Sequence, residues 1–259
     1  MPAFLTRPTR WLPQGPLDAL AQLAVVMLFY WTYRYSRGLV DYQLAASTAF
    51  ANADWIVSVE RFLGLDMELG VQRFAQWVPG LEDASAFMYI NFQSTVTFGA
   101  MTYIYIVHNR AFGFVRNMFI IAWFIALTCY VLLPTAPPRL VPGLGIEDSL
   151  VNFTGIAHDD ETVNSLFNPY AAVPSMHVGF ALMIGIPLAR LSARRATRVF
   201  WVVYPLVVTF VVMATGNHFF LDAVFGVMAV GVAALAARNL GRLRPHAWQF
   251  RTPSGQQAS

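Results

Sequence analysis

The chain has 259 residues, of which 57% are hydrophobic and only 12% charged, and its formal net charge is +3. Soluble domains carry about 25% charged residues, so this composition argues against a soluble protein. Arginines cluster in short stretches between apolar runs, where positive charge orients membrane helices, so we predict no nucleic-acid partner. The single cysteine excludes an intramolecular disulfide. Composition therefore predicts a polytopic membrane protein.

Six apolar segments, each near the length that crosses a bilayer, follow one another along the chain. They cover roughly residues 17–36, 84–107, 115–133, 174–191, 199–215 and 218–236. This pattern predicts an all-α fold built on a bundle of six transmembrane helices. The first segment follows two arginines, as a secretory signal does, but we interpret it as a retained span.

Two regions lie outside these segments. Residues 41–81 space polar side chains among large apolar ones, which predicts amphipathic helices on the membrane surface or capping the bundle. The long loop 138–170 is rich in Gly, Pro, Asn and Asp, as binding loops are. The predicted organisation is an N-terminal segment with the first helix (1–40), an amphipathic extracytoplasmic region (41–81), a catalytic membrane core (82–237) and a cytoplasmic tail (238–259).

The arginines predict the orientation of the bundle. With six spans, four arginine groups lie on one side, which the positive-inside rule makes cytoplasmic together with both termini. The opposite face then receives the region 41–81, the loop 138–173 and the turn before His218. We therefore expect an integral protein of a bacterial plasma membrane with an extracytoplasmic site. The four groups comprise Arg7, Arg10, Arg110, Arg116, Arg190, Arg194, Arg195, Arg198, Arg238, Arg242 and Arg244.

Ionisable residues at the edges of the apolar segments mark a candidate active site. His218 and Asp222 are four residues apart, which places them on one face of a helix. An ionisable group near lipid is costly enough to indicate function. A carboxylate at that spacing would fix the imidazole tautomer and stabilise the cation that forms as the ring reacts. His177, at the start of another segment, could protonate a leaving group.

A candidate anion site adjoins these residues. Ser175, Met176 and His177 follow Pro174, a residue typical of the first turn of a helix. The N–H groups and dipole of such a turn bind anions. Arg139 adds a planar guanidinium that can bind phosphate through two hydrogen bonds. Together these groups could carry out phosphoryl transfer without a metal.

Three other interpretations stay open. His177, His218 and Asp222 could bind a metal ion, although only three ligands are evident and none is cysteine. The same pocket could bind or transport a lipid phosphate without turnover. Two histidines could also coordinate haem. We predict neither a metal nor a cofactor.

These motifs resemble those of a known family. The pattern Pro174-Ser175-x-His177 followed by His218-x3-Asp222 resembles the second and third signatures of the type 2 phosphatidic acid phosphatase superfamily. The likeness covers about residues 81–236, and the six-span layout matches the superfamily's membrane core. The resemblance implies that His218 attacks phosphorus to give a phosphohistidine, that Asp222 supports it and that His177 protonates the departing group.

Within that superfamily, three stretches most resemble the aureobasidin-resistance branch, which includes inositol phosphorylceramide synthases. They are the run Pro134–Leu140, Asn168-Pro169 and Gly216-Asn217-His218. The resemblance implies that no metal is required and that the substrate is a membrane phospholipid or polyprenyl phosphate, with a polyol as a possible acceptor. The expected substrate-binding residues are Arg139, Ser175, Met176, Asn168 and Asn217.

The chain also departs from the superfamily pattern. The first signature has a basic residue seven positions before an Arg-Pro pair, but here Leu132 and Leu140 occupy those positions around Arg139. Val211 and Val212 replace the Ser-Arg that usually precedes the third signature's histidine. Two phosphate-binding cations are thus missing, which favours transfer of a phosphodiester headgroup over hydrolysis of a lipid phosphate or pyrophosphate.

Overall fold

The computed structural model describes residues 11–37, 42–155 and 169–244, with backbone alone at residues 33–37 and 42–45. The described residues are all-helical, with no strand among them. A short 3-10 turn covers Pro138–Leu140. The helices are α1 (Pro16–Arg37), α2 (Tyr42–Leu63), α3 (Glu68–Trp77), α4 (Leu81–Val107), α5 (Asn109–Leu132), α6 (Ser149–Thr154), α7 (Met176–Leu191), α8 (Arg195–Ala214) and α9 (Phe220–Leu243).

Each of the six predicted apolar segments corresponds to a helix: α1, α4, α5, α7, α8 and α9. By length and composition, α5, α8 and α9 are able to cross a membrane. Shorter apolar stretches occur at Pro16–Thr32 and Met176–Leu191. These helices indicate an integral membrane protein, while the six-span bundle stays a prediction.

One sequence prediction was wrong at the start of α5. Arg110 and Arg116 lie inside this helix, which begins at Asn109, and not in a loop before it. The guanidinium of Arg116 is buried and donates hydrogen bonds to the side-chain amide oxygens of Gln22 and Asn117. Hydropathy marks the apolar part of a helix, whereas backbone hydrogen bonds continue through polar residues at its end.

The main core lies between α1, α4, α5, α7, α8 and α9. Within it, α7 and α8 approach each other closely, since a Cβ built on Gly185 would lie only 2.7 Å from the carbonyl oxygen of Trp201. Backbones at this separation need glycine because any side chain would displace the neighbouring helix.

Helices α2 and α3 form the region predicted to be amphipathic. Trp55, Phe62, Phe74 and Trp77 are 58%, 88%, 51% and 79% exposed, whereas the opposite face is buried. A second apolar cluster on that buried face packs α2 against the loop before α6 and the start of α9. The two helices therefore contact the loops that carry the candidate site, and their place relative to a membrane stays a prediction.

Polar side chains of α2 and α3 also hold these loops by hydrogen bonds. Asn52 Nδ2 donates to the carbonyl oxygen of Pro134 at 2.7 Å. Gln72 is 1% exposed and binds residue 147 twice, donating to the carbonyl oxygen and accepting from the N–H of Glu147, both at 2.8 Å. Gln72 Nε2 also lies 3.3 Å from the carbonyl oxygen of Ala214 at the end of α8. These contacts fix the loops relative to the helices.

Candidate active site

His218 and Asp222 are in contact at the start of α9. The Nδ1 atom of His218 lies 3.2 Å from Oδ2 of Asp222, and both side chains are buried. The same oxygen accepts the N–H of Phe219 at 2.9 Å. Helix α9 begins at Phe220, so His218 precedes it, and the expectation of one shared helix face was wrong. The contact forms because Asp222 reaches back to cap the helix N-terminus.

His177 is the second residue of α7 and faces the same site. Its ring centroid lies 5.8 Å from that of His218. Tyr89 of α4 stacks on the other side of His177, with ring centroids 4.1 Å apart and the planes inclined by 23°. The two histidines are therefore close enough to act on one phosphate from different sides.

Ser175 joins the start of α7 to the start of α9. Its N–H donates to the carbonyl oxygen of Asp222 at 2.9 Å. Its Oγ is buried and has no hydrogen-bond partner among the described residues. Leaving a buried hydroxyl unsatisfied costs about 1–3 kcal/mol, so this oxygen suits a substrate contact. Met176 is 2% exposed, and its side chain packs beside Gly179 within the core.

Arg139 lies on the other side of the site, held by side chains from two loops. Its Nη1 donates to Oδ1 of Asn217 at 2.6 Å. Its Nε lies 2.9 Å from Oδ2 of Asp148, an ion pair in which the N–H does not point along the hydrogen-bond direction. The backbone N–H of Arg139 donates to the carbonyl oxygen of Gly216 at 3.1 Å. These contacts fix both ends of the guanidinium before any substrate binds.

Gly216 permits this arrangement. Its φ of +68° lies in the left-handed region that favours glycine. A Cβ there would lie 2.7 Å from the carbonyl oxygen of Glu147 and 3.3 Å from Cβ of Arg139. A side chain at this position would push the arginine loop away from His218.

His177, His218, Arg139 and Asn217 line one small cavity, whereas Ser175 and Asp222 lie buried behind this lining. The volume of this cavity is about 40 Å³, room for about three water molecules, which is closer to the size of a phosphate group than to that of a lipid chain. The lining includes Tyr89, Gln93, Tyr130, Arg139, His177, Asn217 and His218, together with Met176. An adjoining cavity shares Tyr89, Gln93 and His177, and is lined mainly by apolar residues of α4, α7 and α8.

Most residues singled out from the sequence thus lie at one place in the fold. Asn168 is outside the described residues. Leu132, at the position of a missing basic residue, is 69% exposed, whereas Val212 is fully buried beside the apolar cavity. Within the described ranges, no cluster of three or more His, Cys, Asp and Glu side chains could hold a metal ion.

Several side chains of the site could not be recognised from the sequence. Tyr89 and Gln93 sit in an apolar helix, where nothing in the sequence indicates a role beyond packing. Asp148 looks like an ordinary loop residue, although it pairs with Arg139.

Two further acids, Glu60 of α2 and Glu68 of α3, are 1% and 4% exposed. The pKa of Glu60 is raised to about 8, mainly by burial and also by the neighbouring carboxylates of Glu68 and Asp222, while a backbone hydrogen bond from Leu221 acts to lower it. Burial also raises the pKa of Glu68 above its ordinary value. Their carboxyl groups hydrogen-bond to each other, so the pair can hold one proton between them.

A comparison with protein families identifies the same part of the chain. The family model described as the PAP2 superfamily matches residues 54–236, well over half of the 259 residues. The chain belongs to the PAP2 superfamily. No curated protein and no solved structure matches it.

Membership of the PAP2 superfamily suggests a phosphatase or phosphotransferase of lipid phosphates. Members of the superfamily are generally phosphatases, which supports an enzyme. The matched residues run from α2 to α9 and include every described residue of the candidate site. The match identifies the superfamily, whereas the aureobasidin-resistance branch that the motifs resemble stays a prediction.

Proposed function

We propose that this PAP2 protein is a lipid phosphotransferase that forms a phosphohistidine at His218 on the extracytoplasmic side of the membrane. The observation that carries the proposal is the 3.2 Å contact between His218 Nδ1 and Asp222 Oδ2 at a cavity that also contains Arg139 and His177. Because Nδ1 faces the carboxylate, attack on phosphorus falls to Nε2.

In the first half-reaction, the lone pair of His218 Nε2 forms a bond to phosphorus while the bond from phosphorus to the leaving oxygen breaks. His177 gives its proton to that oxygen. Asp222 stabilises the positive imidazole ring through Nδ1–H. Arg139 and Ser175 bind the remaining phosphate oxygens as negative charge develops on them.

In the second half-reaction, a hydroxyl group attacks the phosphohistidine, the P–N bond breaks and His177 takes the proton of the hydroxyl. We assign this hydroxyl to a polyol acceptor, so that the enzyme moves a phosphodiester headgroup. Resemblance to the aureobasidin-resistance branch and the absence of basic residues at Leu132 and Val212 support transfer. Attack by water would instead make a lipid phosphate or pyrophosphate phosphatase, the activity general in the superfamily.

The shape of the site suggests how a lipid would bind. The phosphate cavity has no room for a hydrocarbon chain, and the adjoining apolar cavity begins at Tyr89, Gln93 and His177. We propose that the phosphate of a membrane phospholipid or polyprenyl phosphate occupies the first cavity and that its chain leaves past the second, between α4 and α8. The chemistry requires no metal or cofactor.

Mass spectrometry of lipid products tests this proposal. Purified protein is incubated with several phospholipids and pyrophospholipids, with and without polyol acceptors, and His218→Ala is the control. Transfer predicts a new lipid that forms at the expense of free phosphate. Stoichiometric release of phosphate with every acceptor would make the enzyme a phosphatase. Binding of phospholipid vesicles without any product would indicate a binding or transport protein.

The same assay tests the role of metals. We expect activity to survive saturating EDTA, because Arg139 and the start of α7 supply the positive charge that a cation would supply. Vanadate should inhibit by mimicking pentacoordinate phosphorus. Loss of activity in EDTA that zinc or magnesium restores would favour a metal site instead.

A further inference from the structure

The backbone N–H groups at the start of α9 are taken by carboxyl groups from three helices. Asp222 caps the N–H of Phe219 from within α9, as described above. The next N–H, that of Phe220, donates to Oε1 of Glu68 at 2.7 Å. The N–H of Leu221 donates to Oε1 of Glu60, also at 2.7 Å. Helices α2 and α3 thus hold Phe220 and Leu221, the first two residues of α9, which lie two and three positions after His218.

This arrangement separates the roles of two helix N-termini at the site. An uncapped helix start can bind phosphate through its N–H groups. At α9 these groups already bind carboxyl groups, so an anion would gain little there. The start of α7, next to the buried Ser175 hydroxyl, is left as the anion-binding turn. The capped first turn of α9 instead fixes the position of His218, which lies just before it.

We propose that Glu60 and Glu68 are positioning residues that fix His218 in the geometry of attack by holding the first turn of α9. The inference rests on the proposed role of His218 as nucleophile. Two ionised carboxylates bound to adjacent N–H groups would repel each other. The hydrogen bond between the carboxyl groups of Glu60 and Glu68 lets both side chains stay bound to α9.

Displacement of this turn would affect more than the nucleophile. The carbonyl oxygen of Asp222 accepts the N–H of Ser175, so the same turn also sets the distance between His218 and the anion-binding start of α7. A misplacement of 1 Å at a catalytic group costs about 100-fold in rate. A change at Glu60 is therefore expected to lower kcat although its side chain does not reach the cavity lining.

Two substitutions at one position separate shape from charge. Glu60→Asp keeps the acid but shortens the side chain by one methylene, so the carboxyl no longer reaches Leu221 N–H. Glu60→Gln removes the acid but keeps the shape, and its amide can donate to Glu68 as a protonated carboxyl does. We expect Glu60→Asp to lower kcat about 100-fold with KM within about threefold. Glu60→Gln should stay within about threefold of the wild type at pH 7.

Controls separate this role from a general loss of structure. Asp54→Asn removes an exposed acid on the same helix and should leave kcat and KM unchanged. Glu68→Asp and Glu68→Gln repeat the comparison at Phe220 N–H, so the test survives if one variant fails to fold. A smaller folded fraction would also lower apparent kcat without changing KM, so kcat is expressed per folded protein. A positioning role predicts the loss in Glu60→Asp even when its melting temperature stays near that of the wild type.

Hydrogen–deuterium exchange measures the capping directly and without substrate. The amides of residues 219–222 should exchange faster in Glu60→Asp and at the wild-type rate in Glu60→Gln. Unchanged exchange in Glu60→Asp, or unchanged kcat in an active enzyme, would overturn the positioning role alone. Absence of turnover in the wild type on every lipid phosphate would instead overturn the proposed function, and the positioning role with it.

Discussion

Tyr89 lies face to face with His177, with ring centroids 4.1 Å apart. The face of an aromatic ring carries negative potential and stabilises an adjacent cation. His218 has a carboxylate, that of Asp222, as its neighbour instead. The two histidines of the site thus have different supports, a carboxylate for the proposed nucleophile and an aromatic face for the proposed acid.

Substitution of Tyr89 should weaken the acid. We expect Tyr89→Leu to lower kcat about 2- to 30-fold on lipids with alcohol leaving groups, the range that a cation–π contact of about 0.5–2 kcal/mol implies. Tyr89→Phe keeps the stacked ring and should stay near wild type. An aryl phosphate, whose leaving group needs little protonation, should be affected less. Equal losses on both substrates in Tyr89→Leu would contradict this role.

Removal of the nucleophile should abolish turnover. We expect His218→Ala to reduce activity to background, while Asp222→Asn loses about two to four decades because it disturbs the tautomer and charge but keeps the nucleophile. Initial rates on a lipid phosphate, measured on monodisperse protein, provide the comparison. Near wild-type turnover in His218→Ala would exclude the phosphohistidine.

Two glycines of α9 provide a matched test of helix packing at the site. A Cβ on Gly226 would lie 2.5 Å from the carbonyl oxygen of Ser175, whereas a Cβ on Gly231 would meet nothing within 4 Å. Gly226→Ala should therefore displace α9 from α7 and lower both the melting temperature and kcat. Gly231→Ala should be neutral or stabilise by up to about 1 kcal/mol, because alanine favours helices. Equal effects of the two changes would show that α9 can shift without cost.

Cysteine labelling tests the predicted sidedness. Asn152→Cys in α6 and Ala193→Cys between α7 and α8 are both exposed positions. In a Cys129→Ser background, an impermeant maleimide should label residue 152 in intact cells and residue 193 only after lysis. Labelling of both from outside would contradict the six-span orientation and the extracytoplasmic site.

The acid pair predicts how stability depends on pH. The pKa of Glu60 is about 8 in the folded protein against an ordinary value of 4.5. Between these values the folded state keeps a proton that the unfolded state has lost, so the free energy of unfolding falls as pH rises from about 4.5 and levels off above about 8. Other acids facing the pair are Asp66 and Asp222.

Melting temperatures in detergent from pH 5 to 9 test this dependence. In Glu60→Gln the melting temperature should fall less steeply as pH rises, because an amide does not titrate. Asp54→Asn, at an exposed position on the same helix, should leave the slope unchanged. A slope as steep in Glu60→Gln as in the wild type would assign the pH dependence to other groups.

The residues that the structure brings together at the candidate site could be predicted from residue types and their local context. His177, Ser175, His218 and Asp222 are polar residues at the ends of apolar segments, and such residues are costly near lipid unless they have a function. The sequence also predicted the six apolar helices, because a long hydrophobic stretch has few other stable conformations. The His218–Asp222 contact was expected from helical spacing and forms, but through a capping side chain before the helix begins.

Only the tertiary structure showed what holds these residues in place. Glu60 lies 161 residues from the N–H group that it binds, and Arg139 lies 78 residues from the amide of Asn217. Local pattern does not encode such contacts, because they depend on how whole helices pack. Tyr89 in an apolar helix and Glu60 in an amphipathic one look ordinary in the sequence. The chain thus specified its helices and its reactive groups locally, whereas packing over long sequence separations decided their mutual geometry.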